Sequence, residues 1–394
     1  MNLLVLSTWF PYPPDNGSKI RAYYLIKALS ESHQVTVVAF RPPKTAQQPL
    51  PTLPDGIKVY PIAADPFLHA TRPTWMKFAS PRPLIYWPNQ AMQLTLQELA
   101  RTNHWDVVIA IQGPVAPYAA QFKDLPRILD VDTALSFQMR VRHGNQWSFN
   151  HSARTWVSWQ KAHLYERALF RKFQVCCVAG RMEIAHIHSL VQGSSCRVEI
   201  VANGVDCQYN QPGAASTRAN SLIYSGALTY SANFDAVQYF LAEIYPQIKR
   251  VEPTTTLTVT GSTNGVDMKG LRLDESVRLS GYVEDIRPTV GGSAVCIVPI
   301  RQGSGTRLKI LEAMALGTPI VSTAKGAEGI EAQHGEHLLI ADDPATFAQY
   351  TLNLLRDEPL RQRLAANARR LVEEQYDWAR IGQRFAGLVE DIGH

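Results

Sequence analysis

Along the chain, short apolar runs alternate with longer stretches in which apolar positions return every three or four residues. A run of four to six apolar residues bounded by turn residues fits a strand buried on both faces, and the longer period fits a helix. In the first half the runs predict strands at residues 3–7, 35–40, 107–111, 127–131 and 174–178. A helix is predicted over 19–30, with Ile20, Tyr23, Tyr24 and Ala28 at a helical period. The stretch 42–88 is rich in proline and shows no sustained period, so loops and short helices are expected there. From about Ser194 the pattern restarts, with strand-like runs at 198–202, 222–225, 257–260, 277–279, 294–299 and 319–322. Helical stretches follow at 344–356, 359–375 and 378–392. Strand and helix in alternation indicate a parallel sheet covered on both faces, and the restart indicates two such doubly wound units. Ligands of these sheets bind beyond the carboxyl ends of the strands, so the residues after each strand are the candidates for chemistry.

Length agrees with two units, since 394 residues exceed what one ordinary core holds. The apolar run at 3–6 has no basic stretch before it and is broken by Trp9 to Pro14, so it is read as a first buried strand and not as a signal peptide. No window carries the roughly 18 uncharged apolar residues of a membrane-crossing helix, and a cytoplasmic enzyme is expected. The five cysteines are odd in number and lack zinc-like spacing, which suits buried reduced thiols. Charge is uneven. Residues 1–195 carry 20 basic against 11 acidic side chains, whereas the remainder is acidic on balance. A basic first half suits an anionic partner such as a lipid surface or a phosphorylated acceptor, and solvated surface charge explains it equally well. Residues 154–172 sharpen the first reading. They are expected to form a helix with Trp156, Trp159, His163 and Phe170 near one side and Arg154, Lys161, Arg167, Arg171 and Lys172 beside them. That pattern suits peripheral contact with an anionic membrane at its inner face; core aromatics under solvated charges are the alternative.

The strongest local signal for chemistry is Gly303-Ser304-Gly305-Thr306-Arg307-Leu308-Lys309-Ile310-Leu311-Glu312, which follows a strand and opens a helix. Its glycines allow close backbone approach, the first helical N–H groups favour an anion, and Arg307 and Lys309 add charge for a diphosphate. Glu312, further along the helix, can accept hydrogen bonds from ribose hydroxyls. Cations in a first helical turn oppose the helix dipole, which favours a ligand-binding purpose. Gly226, after the run at 222–225, opens a second polar loop, and Gly204, Gly261 and Gly281 also follow strand-like runs, together forming a glycine-lined rim. In the first half Gly17 lies between the first strand and first helix, with Lys19 and Arg21 supplying charge. Asp130 and Asp132 end another strand and either contact acceptor hydroxyls or cap the next helix. No His/Asp/Glu cluster has metal-ligand spacing, so no metal or other cofactor is expected.

Taken together, the segment Pro11-Tyr12-Pro13-Pro14-Asp15-Asn16-Gly17, Asn203-Gly204-Val205-Asp206, Ser225-Gly226 with Asn233, Gly281-Tyr282-Val283-Glu284-Asp285-Ile286-Arg287 and Leu311-Glu312-Ala313-Met314-Ala315 resemble the retaining glycosyltransferases of family 4, or group 1. Bacterial exopolysaccharide and envelope sugar transferases are the nearest in kind. The resemblance spans nearly the whole chain and implies the GT-B fold: two Rossmann-like domains facing across a cleft. It implies a first, acceptor-side domain of residues 1–195 plus 376–394 and a donor domain of 196–375, the last helix returning to the first domain. It further implies that Arg307 and Lys309 face the diphosphate of a nucleotide-sugar, that Gly226, Gly303, Ser304, Gly305 and Thr306 line the donor and Glu312 its ribose, and that Gly17 lies near the phosphates. Lys19, Gln112, Asp130 and Asp132 fall on the acceptor side. The acceptor is a glycan, lipid-linked or small-molecule hydroxyl, and nucleic acid is not a partner.

Two departures from that pattern stand out. Many members carry two glutamates eight positions apart; Glu312 is the second, and Ser304 stands in place of the first. Many also carry a cleft histidine where this chain has Gln112, which bonds a hydroxyl but cannot act as a base. The front-face mechanism usually drawn for the family gives the acceptor proton to the donor phosphate, so a side-chain base is dispensable. Both departures motivate an alternative, a nucleotide-sugar-binding partner or sensor with impaired catalysis. A dinucleotide oxidoreductase is disfavoured, because the first strand leads to Trp9-Phe10-Pro11 and not to Gly-x-Gly-x-x-Gly.

Overall fold

The computed structural model describes residues 1–43, 53, 56–68, 80, 82–143, 149–303 and 305–393; the side chains of 142–143 and 149–153 are not described. The chain divides into two compact units, Met1–Ala202 with Ile381–His394, and Asn203–Arg380.

The first unit is built on a seven-stranded parallel sheet. Its strands are β1 (Asn2–Ser7), β2 (Gln34–Phe40), β3 (Ile57–Ile62), β4 (Val107–Ile111), β5 (Arg127–Asp132), β6 (Val175–Val178) and β7 (Arg197–Ile200), in the order β3-β2-β1-β4-β5-β6-β7. The central strands are apolar throughout because helices cover both faces, and Leu3, Leu4, Val5 and Val108 have no exposed surface. Strand order reverses between β1 and β4, which opens a crevice at their carboxyl ends. The main helices of this unit are α1 (Gly17–Ser30), α2 (Gln90–Thr102), α3 (Leu135–His143), α4 (Phe149–Phe170) and α5 (Arg181–Val191).

The second unit repeats the plan with β8 (Arg218–Ser225), β9 (Thr256–Thr260), β10 (Val277–Gly281), β11 (Ser293–Val298), β12 (Ile320–Ser322) and β13 (Leu339–Ile340). Their order is β10-β9-β8-β11-β12-β13, with the reversal between β8 and β11. Its main helices are α6 (Ser231–Tyr239), α7 (Leu308–Ala315), α8 (Pro344–Arg356) and α9 (Glu358–Gln375). The last helix, α10 (Trp378–Gly393), begins in the second unit and ends in the first. In the first unit its Phe385 and Val389 are buried, and its Gly382 lies against Ala28 of α1.

Several expectations shift. The run at 198–202 does not open the second sheet; β7 pairs with β6 and extends the first. The division therefore falls after Ala202, not after residue 195. At the other end, Val205 bonds the backbone of Tyr376 and Trp378, which keeps the chain with the second unit up to Arg380. Strand β3 lies in the stretch expected to hold only loops and short helices. Helix α1 turns a different face inward: Ala22, Leu25, Ile26 and Leu29 are buried, and Ile20, Tyr23, Tyr24 and Ala28 are only partly covered. The helix is apolar on both sides, so periodicity alone does not choose; Arg21, fully buried, selects the face through its ion pair with Asp130. Cys176, Cys177, Cys207 and Cys296 are buried and Cys196 is half-buried, all as free thiols.

Candidate active site

In the second unit, the carboxyl ends of β8, β9 and β10 are laced together by backbone bonds. Gly226 N–H donates to Thr260 O (3.1 Å), and Gly261 N–H donates to Gly281 O (2.8 Å). Gly226 and Gly261 hold φ of 152° and 110°, outside the range of most side-chain-bearing residues. A Cβ on Gly261 would sit 2.5 Å from the Ala227 nitrogen. One on Gly226 would sit 2.6 Å from Lys309 Nζ. Glycine therefore lets the two loops close on each other and leaves room for the lysine.

Lys309 lies in the first turn of α7, across the switch point from β8. Its ammonium donates to Asn233 Oδ1 (3.0 Å) and rests 4.0 Å from the centre of the Tyr224 ring. Tyr224 Oη donates to the same amide oxygen (2.8 Å), and Asn233 Nδ2 donates to Ala227 O (2.9 Å). Strand end, α6 and α7 are thus tied at one amide. No ion pair is found for Lys309 among the described residues. Burial, the largest influence, pushes its pKa down to about 7, and Arg307 adds to the effect. Burial likewise raises the Glu312 carboxyl, against the opposing pull of Lys309. Arg307 is buried just before α7 and donates to Gln302 O (3.3 Å). Gly303 (φ 95°) and Gly305 (φ 89°) shape the loop before it, and Thr306 is half-buried there. Ser304 lies outside the described residues. The assembly is two cations at a helix start beneath a glycine rim, an arrangement that accepts a multiply charged anion.

The first unit carries a separate pocket of about 270 Å³ at the carboxyl ends of β1, β4 and β5. Two of its lining residues hold a positive φ, uncommon outside glycine: Gln112 (φ 76°) and Asp132 (φ 58°), the latter a residue type that tolerates it better than most. Such strain persists where surrounding structure over-determines it and clusters at functional sites. Gln112 Nε2 and Ser18 Oγ both donate to Asp132 Oδ2 (3.2 and 3.0 Å). Burial raises the Asp132 carboxyl. Behind the pocket, buried Glu166 of α4 caps α3, accepting from Leu135 N (2.7 Å), Ser136 N (3.0 Å), Ser136 Oγ and Tyr86 Oη (2.5 Å). That carboxylate thereby fixes Tyr86 and Leu135, which line the pocket.

Two first-half expectations change. Asp130 is not on offer to a ligand: it is fully buried and gripped by Arg21 through Nε (2.8 Å) and a second nitrogen (2.5 Å). Lys19 pairs with Asp15 at the surface (2.9 Å), and neither lines the pocket. Gly17 opens α1, exposed, beside its capping residue Asn16. The sequence did not single out Trp9, Phe67, Tyr86 and Gln138 as lining residues; Trp9 alone carried a signal, as an aromatic at a strand end. The aromatic side expected on α4 also dissolves. Trp159 donates to Ser136 O and stacks on His163, and Phe170 is buried, so of the four named residues Trp156 alone is exposed. Its exposed apolar neighbours are Val157 and Leu164.

Comparison with known proteins decides the family. Residues 15–209 match the group described as Glycosyltransferase Family 4, and residues 219–357 match Glycosyl transferases group 1. The chain belongs to the family 4, group 1 glycosyltransferases. Glycogen synthase of Mycobacterium tuberculosis is 25% identical over 412 residues, covering 97% of this chain and 92% of its own. An uncharacterised protein of the cps region of Klebsiella pneumoniae is 27% identical over 169 residues, 41% of this chain and 44% of that one. The solved structure of Anabaena HepE in complex with UDP and glucose superposes with a TM-score of 0.67 over 99% of this chain and 100% of that one, at 15% identity. The fold of this glycosyltransferase is accordingly GT-B, two parallel-sheet Rossmann-like units of seven and six strands. No described helix is long and apolar enough to cross a membrane.

Proposed function

We propose that the enzyme moves a sugar from a nucleotide-diphosphate-sugar to an acceptor hydroxyl, with retention of anomeric configuration, in the synthesis of a cell-surface polysaccharide or glycan. The observation that carries the donor half is the Lys309–Asn233–Tyr224 cluster under Gly226, a desolvated cation with no ion pair among the described residues, at the switch point of the second sheet. HepE, whose solved structure holds UDP and glucose, has the same fold, and the Klebsiella relative lies in a cps region. In this reading Lys309 and Arg307 neutralise the leaving diphosphate as the glycosidic bond breaks, and Glu312 holds the ribose. Charge developing on the leaving group is met by fixed cations and a helix start, and no metal is required. Gln112 positions an acceptor hydroxyl, and the acceptor proton leaves with the donor phosphate.

Thermal shift with UDP-, GDP- and ADP-sugars is the first test: a donor at 100 times its Kd stabilises the fold by about 2.7 kcal/mol. NMR of the product anomer reads retention, and turnover is expected to survive EDTA. No shift with any nucleotide-sugar would overturn the donor site, and donor binding without turnover would favour the impaired binding protein. Peripheral membrane contact at the cytoplasmic face is part of the same proposal. It rests on exposed Trp156, Val157 and Leu164 of α4 with exposed Arg154 and Arg167 beside them. Salt-sensitive co-sedimentation with acidic-lipid vesicles is expected, and its absence at low salt would remove this element.

A further inference from the structure

The lining of the first-unit pocket sorts by chemistry. Trp9, Phe67, Ile85, Tyr86, Pro114 and Leu135 form an apolar wall, and the Trp9 and Phe67 rings lie 5.1 Å apart at 40°. Thr8, Ser18, Gln112, Thr133 and Gln138 are polar and neutral. Asp132 is the sole charged side chain among the described lining residues. Both hydrogen bonds to its carboxylate fall on Oδ2, so Oδ1 remains for a ligand's donor. This distribution runs against the basic balance of residues 1–195, where the sequence left a phosphorylated acceptor open. Arg21, the cation that acts on Asp132, is itself spent on Asp130. Behind Thr133, Glu183 adds a second buried carboxyl close to Asp132.

Resting on the glycosyltransferase reading above, we infer that the acceptor group seated in this pocket is an uncharged sugar or polyol ring, its apolar face against Trp9 and Phe67 and its hydroxyls bonded by Asp132, Gln112 and Gln138, and that a phosphate-bearing ring is excluded. A sugar ring has C–H faces and a rim of hydroxyl donors. Aromatic walls meet the first, and a carboxylate with two amides meets the second. A volume of about 270 Å³ lies just under that of pockets for drug-sized ligands, so one ring enters and a disaccharide extends out of it. A phosphate beside Asp132 would place two anions together at a site with poor solvent screening, a mismatch on the order of 10²-fold in affinity.

The test is binding to the full chain, read by tryptophan fluorescence and saturation-transfer NMR. The probes are methyl hexosides and inositol against the corresponding 6-phosphates and inositol phosphate. The neutral rings are expected to bind at least tenfold more tightly. Trp9→Ala weakens neutral rings on the order of tenfold, and Trp9→Phe, which keeps a ring and guards against misfolding, holds affinity within about threefold. Asp132→Asn, near-isosteric, weakens neutral rings and narrows the discrimination against phosphates. Equal or tighter binding of phosphorylated rings to the unaltered protein overturns the inference, as does failure of every neutral ring to bind, or unchanged affinity in both Trp9→Ala and Asp132→Asn. Thermal shift by nucleotide-sugars, run in parallel, separates the two proposals. If donors shift the protein and the rings behave otherwise, this inference alone falls; if no donor shifts it, the donor reading falls.

Discussion

Donor affinity should carry the titration of Lys309. Its ammonium is held by one amide oxygen and one ring face, and its burial, with Arg307 nearby, brings its pKa to about 7. A bound diphosphate places counter-charge beside it and pulls the pKa back up, so binding takes up a proton. The protonated fraction is about one half at pH 7 and about 1% at pH 9. If only the ammonium form holds the diphosphate, affinity falls about 50-fold across that interval, and close to one proton is absorbed per donor bound near pH 8–9. The diphosphate of a nucleotide-sugar has no phosphate monoester to titrate near pH 6, so its phosphates are silent in this window, and the onset of uracil or guanine ionisation toward pH 9 is common to the unaltered protein and to Lys309→Met. Of the groups facing Lys309, the Cys296 thiol is pushed up to about 12 and the Tyr224 hydroxyl also rises, so neither interferes. Glu312 is handled by a control: the profile should persist in Glu312→Gln. Isothermal titration at pH 6.5–9, in buffers of differing ionisation enthalpy, reads affinity and proton count together. Lys309→Met should bind weakly with a flat profile. A flat profile in the unaltered protein, or an undiminished slope in Lys309→Met, would refute the reasoning.

Other consequences are as direct. Gly226→Ala puts a methyl 2.6 Å from Lys309 Nζ at a backbone φ of 152°; donor-induced thermal shift should vanish in a protein destabilised by about 1–3 kcal/mol. Arg21→Met leaves the Asp130 carboxylate buried without its partner and should cost about 3–5 kcal/mol in urea unfolding, much of it recovered in the Arg21→Met/Asp130→Leu double variant; a loss under about 1 kcal/mol would contradict the buried pair. Glu183 is raised to about 8, by burial first and Asp132 next. The folded state therefore keeps a proton that the unfolded state has already lost, and this contribution disappears as pH rises through 8. Glu183→Gln does not titrate, so its Tm advantage over the unaltered protein should widen from pH 6 to pH 9, and a constant gap would refute the assignment.

The sequence by itself determined what depends on neighbours along the chain. Apolar runs such as Val107–Ile111 become strands because only a doubly covered parallel sheet buries every residue of a run. Asp343 before Pro344 sets a helix start by a local cap. The cluster Gly303, Arg307, Lys309 and Glu312 was legible for the same reason: one loop and one helix turn supply all of it. What tertiary structure decided is everything joined across long separations. Nothing local distinguishes Asp130, sealed against Arg21 from 109 positions away, from Asp132, open to a pocket two residues on. Nothing local assigns 197–200 to the first sheet, since a strand's propensity is blind to which edge receives it. Helices whose apolar residues fall on more than one side, as in α1, or are interleaved with charges, as in α4, leave their orientation to packing. Trp9, Phe67 and Tyr86 become one wall only when the carboxyl ends of β1 and β4 meet, because the burial of hydrophobic surface is non-directional and the topology alone chooses the partners.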